Sequence, residues 1–99
     1  MGINEITNKR ISVIGAARSG VAAAQMLGSK GARVFVSDNG AAEKLTSQIS
    51  TLKSIGVEFE TGTHSERIYD ADLIVISPGV PSSAPVVKDA ALRRIKVVS

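Results

Sequence analysis

Cysteine is absent from this 99-residue sequence, and aromatic residues account for only 3% of it. A chain without cysteine can form neither a disulfide framework nor a thiolate metal site, and it is compatible with a reducing cytoplasm. So few aromatic side chains leave almost nothing on which exposed bases can stack. A general nucleic-acid binder is therefore a poor interpretation.

Long apolar runs are also missing, since no stretch approaches the roughly 18 residues that a membrane helix needs. The first ten residues place their charges after the apolar residues and lack an apolar core, so no secretory signal is expected. The net charge is +3, and the charged residues are scattered along the chain except for one small basic cluster at Arg93, Arg94 and Lys96. We therefore expect a protein whose partners include neither a membrane nor a nucleic acid.

The chain has the length and composition of one small globular domain, with 43% hydrophobic and 21% charged residues. Its organising stretch, residues 10–20, reads as a short apolar strand, a turn bounded by two glycines and the start of a helix. Gly15 permits the unusual dihedral angles of a sharp reversal, and Gly20 lets the helix lie close to the sheet. The backbone amides of such a turn, together with the positive end of the helix dipole, suit a phosphate or diphosphate.

Hydrophobic patterning predicts five strands separated by helices or short links. Continuous apolar runs indicate central strands covered on both faces, whereas the alternation of Val57, Phe59 and Thr61 with glutamates indicates an edge strand. The predicted strands centre on residues 11–14, 34–36, 57–61, 73–76 and 96–98.

Three helices are predicted between these strands. The first spans Ser19 to about Lys30 and stops at Gly31, and the third opens at Pro85. The second carries an amphipathic stripe and ends at Gly56; the stripe consists of Leu45, Ile49, Leu52 and Ile55. The third is expected to pack through Val86, Val87, Ala90 and Ala91. The link from His64 to Asp72 has room for a helical turn.

This order of elements predicts a doubly wound α/β fold, a Rossmann-like parallel sheet of five strands in the order 3-2-1-4-5 with helices on both faces. Ligands in such sheets bind beyond the carboxyl ends of the strands where the strand order reverses, here between strands one and four. The turn from Gly15 to Gly20 and the turn from Ser77 to Pro81 follow those two strands. We therefore expect both turns to converge on one crevice.

The first turn consists of Gly15, Ala16, Ala17, Arg18, Ser19 and Gly20. It departs from the dinucleotide-binding fingerprint because Ala17 replaces the middle glycine, and the methyl group disfavours the close pyrophosphate approach of the usual NAD pose. Arg18 either pairs with a phosphate or stays solvated.

Two further polar residues are candidates for this crevice or its surroundings. Asp38 either hydrogen-bonds a ribose hydroxyl or a base N–H, or caps the loop before the second helix. We favour ligand contact because Asp38 ends a central strand at the switch point. His64 has neither a second histidine nor a carboxylate constellation nearby, so we interpret it as a loop residue.

No residue is arranged for catalysis. The sequence contains no Gly-x-x-x-x-Gly-Lys-Ser/Thr phosphate loop, no paired-histidine metal site and no nucleophile placed beside a base. We therefore expect this chain by itself to carry neither catalytic residues nor a metal site.

Residues 10–24, 31–38 and 71–81 together resemble the amino-terminal domain of a Mur ligase, most nearly the branch that adds D-glutamate. The most specific element is the Ser-Pro-Gly-Val-Pro turn that begins at Ser77. Residues 56–66 also resemble the segment that this family carries between its third and fourth strands, so the likeness covers nearly the whole chain.

The resemblance implies that residues 1–99 form the UDP-binding amino-terminal domain of a cytoplasmic three-domain ligase of peptidoglycan synthesis. The full enzyme would join D-glutamate to UDP-N-acetylmuramoyl-L-alanine with ATP and magnesium, through an acyl-phosphate. Its ATP, metal and D-glutamate sites would belong to later domains, so this piece alone is expected to be inactive. In this domain the resemblance assigns UDP to the residues of the first turn and to Asp38, Asn39, Ser77, Pro78 and Gly79.

The main rival of another class is an NAD(P)-binding Rossmann domain of an oxidoreductase or regulatory protein, because the fold and Asp38 suit it nearly as well. Ala17 and the Ser-Pro-Gly-Val-Pro turn favour UDP over this rival. A third alternative is a structural or interaction domain with a vestigial nucleotide site.

Overall fold

The computed structural model of this chain describes residues 6–99. The five strands are β1 (Arg10–Ile14), β2 (Arg33–Asp38), β3 (Glu58–Thr61), β4 (Leu73–Ile76) and β5 (Lys96–Val98). The helices are α1 (Arg18–Ser29), α2 (Thr46–Ser54) and α3 (Pro85–Leu92), with short 3₁₀ helices at Ala42–Lys44 and Glu66–Tyr69. The prediction about a secretory signal includes residues 1–5, which lie outside the described residues.

All neighbouring strands pair in parallel, and their order is β3-β2-β1-β4-β5. The predicted doubly wound fold and strand order are therefore confirmed. Ile14, the last residue of β1, pairs with Ser37 of β2 on one side and with Ile76 of β4 on the other. Because these three strands are in register, the loops that follow them leave the sheet at the same edge.

Alternation along the strands sends side chains to both faces, and each face buries its own cluster. One cluster packs α1 and α2 against the sheet; its buried members include Ile11, Val13, Ala24, Val36 and Leu52. The other packs α3 and the second 3₁₀ helix against the opposite face; its buried members are Ile14, Phe35, Ile68, Ile74, Val86 and Ala90. The continuous apolar runs of β2 and β4 are thus explained by burial on both sides.

Most local expectations are confirmed. Gly31 and Gly56 have φ angles of +91° and +75°, as expected for residues that end a helix in the left-handed region. β3 lies at one edge of the sheet, and the link before β4 holds the helical turn Glu66–Tyr69.

Two details of the helix predictions are wrong. The second helix begins at Thr46, because Leu45 has φ −122° and ends the preceding 3₁₀ turn instead of continuing it. In α3, Val86 and Ala90 are buried but Ala91 is exposed, since α3 turns that position toward solvent. Within residues 6–99, no helix combines the length and apolar character required to cross a bilayer.

Candidate functional site

A cleft of about 280 Å³ opens at the carboxyl edge of the sheet, above the ends of β1, β2 and β4. It is lined by Ile14, Gly15, Ala17, Ser19, Asp38, Asn39, His64, Ser77, Gly79 and Val80. A larger cavity of about 580 Å³ lies elsewhere, beside the amino ends of β2 and β3. We consider the smaller cleft the candidate site, because ligands of parallel α/β sheets bind at the carboxyl edge where the strand order reverses.

The turn after β1 is packed so tightly that two of its positions admit only glycine. Gly15 has φ +99°, and a Cβ atom there would lie 3.0 Å from both Cβ and Oγ of Ser77. A Cβ atom on Gly20 would lie 1.9 Å from the carbonyl oxygen of Gly15. The first turn of α1 therefore sits directly against the end of β1, as the two glycines predict.

The amino end of α1 has no cap from its own sequence. The N-cap residue is Ala17, which has extended backbone angles and no polar side chain, and the first turn contains no acidic residue. The amides of Arg18, Ser19 and Gly20 have no earlier helical carbonyl to bond and make no hydrogen bond to another of the described residues. Three N–H donors at the positive end of a helix thus lack a partner among the described residues, and an unsatisfied helix end of this kind suits an anion.

Asp38 ties the end of β2 to the glycine turn. Its Oδ2 accepts a hydrogen bond of 2.7 Å from the amide of Ala16, and its Oδ1 accepts one of 2.7 Å from the amide of Gly40. Both roles that the sequence left open are therefore compatible with this position. The carboxylate shapes the loop, yet each oxygen retains a second lone pair for a ligand donor.

Ser77 joins the second turn to the first. It is 7% exposed, its Oγ donates to the carbonyl oxygen of Gly15 at 3.1 Å, and its amide bonds the carbonyl of Ile14 at 3.0 Å. The carbonyl of Ser77 accepts from the amide of Val80 at 2.9 Å, which closes the turn. The two glycine-containing turns thus converge as predicted and are joined by the hydrogen bond from the Ser77 hydroxyl to the Gly15 carbonyl.

A polar network lies at the β3 side of the cleft. The buried Ser37 hydroxyl is 2.6 Å from Oε2 of Glu60 and 2.8 Å from Nδ1 of His64. The amide of Ser65 also donates to Oε2 of Glu60, at 2.8 Å. His64 lies in a loop, as interpreted from the sequence. The expectation that no carboxylate network lies near it is wrong, because Ser37 links its ring to Glu60.

The environment of Glu60 favours its charged form. Burial alone would raise the pKa of this carboxyl group, but hydrogen bonds from Ser37 and Ser65 and the nearby His64 outweigh it and lower the pKa below its ordinary value. Glu60 is therefore an ionised hydrogen-bond acceptor at neutral pH.

Comparison with known proteins places the chain in a family. The family model described as "Mur ligase MurD-like, N-terminal domain" matches residues 9–99. The chain belongs to this family. The MurD-like domain is 47% identical over 95 residues to UDP-N-acetylmuramoylalanine–D-glutamate ligase of Chloroherpeton thalassium, with 96% of the chain covered. It is 48% identical over 89 residues to the ligase of the same name from Chlorobaculum parvum, with 90% covered. The matched part is 20% and 19% of those relatives, so the chain spans about one fifth of their length.

Solved structures show the same fold as the MurD-like domain. UDP-N-acetylmuramate–alanine ligase MurC from Thermotoga maritima matches with a TM-score of 0.72 and 24% identity, over 91% of this chain and 20% of that one. Shikimate dehydrogenase from Aquifex aeolicus matches with a TM-score of 0.64 and 21% identity, over 94% of this chain and 42% of that one. A ligase and a dehydrogenase share this architecture, so the fold alone does not decide between the ligase and oxidoreductase alternatives.

Within this MurD-like domain, the predicted site residues divide into three groups. Those that line the cleft are Gly15, Ala17, Ser19, Asp38, Asn39, Ser77 and Gly79. Ala16 and Gly20 are buried behind it, where the first bonds Asp38 and the second allows α1 to approach. Two residues do not line it: Pro78 is exposed, and Arg18 lies in a groove against Ser47, Gln48 and Thr51.

Sequence reasoning missed three residues that line the cleft, Ile14, His64 and Val80. The position of His64 had a usable signal, because it follows β3, the parallel neighbour of β2, and the loops after both strands leave the sheet at the same edge. In the described part of this MurD-like domain, no group of three or more His, Asp or Glu residues is placed to hold a metal ion.

Proposed function

We propose that this domain binds the UDP part of UDP-N-acetylmuramoyl-L-alanine for a ligase that adds D-glutamate during peptidoglycan synthesis. The observation that carries the proposal is the uncapped amino end of α1, which opens three unpaired amides beside the cleft. A diphosphate supplies the negative charge and the acceptor oxygens that such a helix end lacks.

The nucleoside half would extend from the helix end toward β2. Asp38 and Asn39 line that side of the cleft and offer acceptors and donors to the ribose or the base. Ser77 and Gly79 line the opposite side, where the turn after β4 would border the diphosphate. The contact of the ligand with Arg18 would be through its backbone amide, which is unpaired at the start of α1.

The ligase reaction itself is proposed from the relatives, whose names state it, and not from this domain. The chain covers one fifth of those proteins. ATP, magnesium and D-glutamate would be bound by parts of a longer protein, and the cytoplasm is the proposed location. We accordingly expect the 99-residue chain to bind a UDP-linked ligand without turning it over.

The first experiment is a titration of the ¹⁵N-labelled chain with UDP and, separately, with NAD. We expect UDP to shift the amide resonances of Arg18, Ser19 and Gly20, with a weaker response to NAD because Ala17 replaces the middle glycine of the dinucleotide fingerprint. A stronger response to NAD at the same amides would support the oxidoreductase alternative. No response to either nucleotide would contradict the proposal.

A substitution at the N-cap sharpens this test. Ala17→Asp places a capping carboxylate on the free amides, so it should stabilise α1 by about 0.5–2 kcal/mol while it repels a diphosphate. Ala84→Asp is the matched control, because Ala84 is the N-cap of α3, also has no side-chain cap and does not line the cleft. We expect both variants to gain stability and Ala17→Asp alone to lose UDP binding. Equal UDP affinity in the two variants would show that α1 does not hold the phosphates.

A further inference from the structure

His64 lies in the loop after β3 and lines the cleft together with Asp38 and Asn39. Its imidazole is anchored on one side only, through the contact of 2.8 Å between Nδ1 and Oγ of Ser37. Which of the two atoms donates in that contact decides what the other side of the ring offers to a ligand.

The hydrogen-bond inventory around Ser37 settles the donor. A serine hydroxyl has one proton, and its near neighbours are Oε2 of Glu60 at 2.6 Å, Nδ1 of His64 at 2.8 Å and the carbonyl of Thr63 at 3.4 Å. Ionised Glu60 can only accept, so a contact of 2.6 Å between two oxygens requires the serine proton between them. Ser37 therefore has no proton left for His64, and Nδ1 of the imidazole must be the donor.

A neutral imidazole protonated at Nδ1 carries a lone pair at Nε2. Nε2 makes no hydrogen bond to another of the residues 6–99. Among residues 6–99, every buried side-chain nitrogen or oxygen has a hydrogen-bond partner. Because Nε2 of the half-buried His64 has none, this atom must be accessible to solvent. The ring thus presents one oriented acceptor to its surroundings.

The position of this acceptor points to the nucleoside half of a ligand. The free amides that suit a phosphate lie at the start of α1, above β1, whereas His64 enters from beyond β2, on the far side of Asp38. A phosphate brings only acceptors at neutral pH, so it does not match an imidazole lone pair. A ribose hydroxyl or the imide N–H of uracil does match it.

We propose that His64 is a specificity-determining residue of the cleft, whose Nε2 accepts a hydrogen bond from a ribose hydroxyl or the imide N–H of the bound nucleoside while Ser37 and Glu60 fix the ring. This inference rests on the proposed function, since it requires a nucleotide in the cleft. It assigns part of the base or ribose recognition to a residue that does not belong to either glycine-containing turn.

Two substitutions of His64 test the contacts of the two ring nitrogens separately. His64→Asn keeps an amide group near the position of Nδ1 and removes Nε2, so the bond to Ser37 can persist while the ligand contact is lost. His64→Gln places its amide near the position of Nε2 and loses the anchor. Wild type and both variants are compared at pH 8 by thermal unfolding and by calorimetric titration with UDP and with inorganic pyrophosphate.

We expect His64→Asn to unfold at the wild-type temperature, to bind UDP about fivefold more weakly and to bind pyrophosphate unchanged, because one neutral hydrogen bond is lost. His64→Gln should unfold at a lower temperature and bind UDP within about twofold of wild type. If His64→Asn does not fold, the UDP affinity of His64→Gln decides, and a loss greater than fivefold contradicts the inference.

Analogues of UDP identify the donor. Three analogues, 2′-deoxy-UDP, 3′-deoxy-UDP and N3-methyl-UDP, each lack one possible donor to Nε2 of His64. The analogue that lacks the actual donor should bind wild type and His64→Asn with equal affinity. An equal loss of UDP and pyrophosphate affinity in His64→Asn would mean that His64 acts only on the shape of the cleft and would overturn the inference. Unchanged UDP affinity would overturn it as well. A wild-type chain whose Arg18, Ser19 and Gly20 amides ignore UDP would instead contradict the proposed function itself.

Discussion

Replacement of Gly20 by alanine tests the packing that forms the cleft. Gly20 is buried in the first turn of α1, and its backbone angles are not in the left-handed region, so strain of the backbone is not the issue. The obstacle is space, because the added Cβ would lie 1.9 Å from the carbonyl oxygen of Gly15 and 2.8 Å from Oγ of Ser77. Helix α1 would have to move by about 1 Å before these contacts became tolerable.

The expected cost follows from which atoms clash. The nearest atom is backbone at the end of central strand β1, and it cannot rotate away as the tip of a flexible side chain could. Overpacking of a well-packed site costs about 1–3 kcal/mol, and a rigid neighbour places Gly20→Ala at the upper end, about 3 kcal/mol. For a domain of this size that loss corresponds to a fall in Tm of roughly 12 °C or more.

Gly28→Ala provides the matched control, since Gly28 lies in the same helix and a Cβ there meets nothing within 4 Å. Alanine should therefore stabilise α1 at that position, by up to about 1 kcal/mol. Urea unfolding of the two variants and wild type measures the difference. A Gly20→Ala variant as stable as wild type, or as stable as Gly28→Ala, would refute the close approach of α1 to the end of β1.

Three further substitutions test the core and the network beside the cleft. Leu52→Ala should lower the free energy of unfolding by about 2–5 kcal/mol because Leu52 is 1% exposed, whereas Leu92→Ala, at a residue that is 82% exposed, should change it little; both are read from urea unfolding. Because folding lowers the pKa of Glu60, its contribution is present above the ordinary value of 4.5 and disappears as the pH falls through the lower folded value. In urea unfolding, the stability advantage of wild type over Glu60→Gln should therefore shrink as the pH falls from 6 to 3. Asp38→Asn should lose about 1–3 kcal/mol, because only the amide oxygen of asparagine can accept, so one of the Ala16 and Gly40 amides is left facing an NH₂ donor. Unchanged stability would contradict the two bonds.

The fold was predictable because each local signal agrees with the others. The apolar runs of β2 and β4 require cover on both faces, and the glycines at 31 and 56 end helices where their positive φ angles demand it. The error at the start of α2 has a physical reason. Leu45 has the spacing of the apolar stripe of α2, yet it is the N-cap residue and lies outside the helix. Apolar spacing predicts which face of a helix a residue would occupy, but it does not predict at which residue the helical backbone begins.

The site was predictable at the ends of β1, β2 and β4 and less so beyond them. Strand order places the glycine turn, Asp38 and Ser77 together without any knowledge of side-chain direction. Arg18 borders a groove together with residues of α2 instead of lining the cleft, and this placement depends on packing between helices, which no local pattern records. His64 acquires its partners Ser37 and Glu60 only when β2 and β3 pair, with Ser37 opposite Glu60 in the register.

The N-cap of α1 is an unfavourable residue for helix stability, and it is informative for that reason. An N-cap of serine, threonine, aspartate or asparagine would stabilise the helix by about 1 kcal/mol, yet the chain places Ala17 there. The available carboxylate, Asp38, approaches from β2 but bonds the amide of Ala16, one residue before the cap, and leaves the three amides that follow Ala17 unpaired. A carboxylate one residue further along would satisfy the helix and close it to anions. The arrangement instead ties the loop to β2 by hydrogen bonds and leaves the helix end open, which is the combination that the proposed diphosphate site would need.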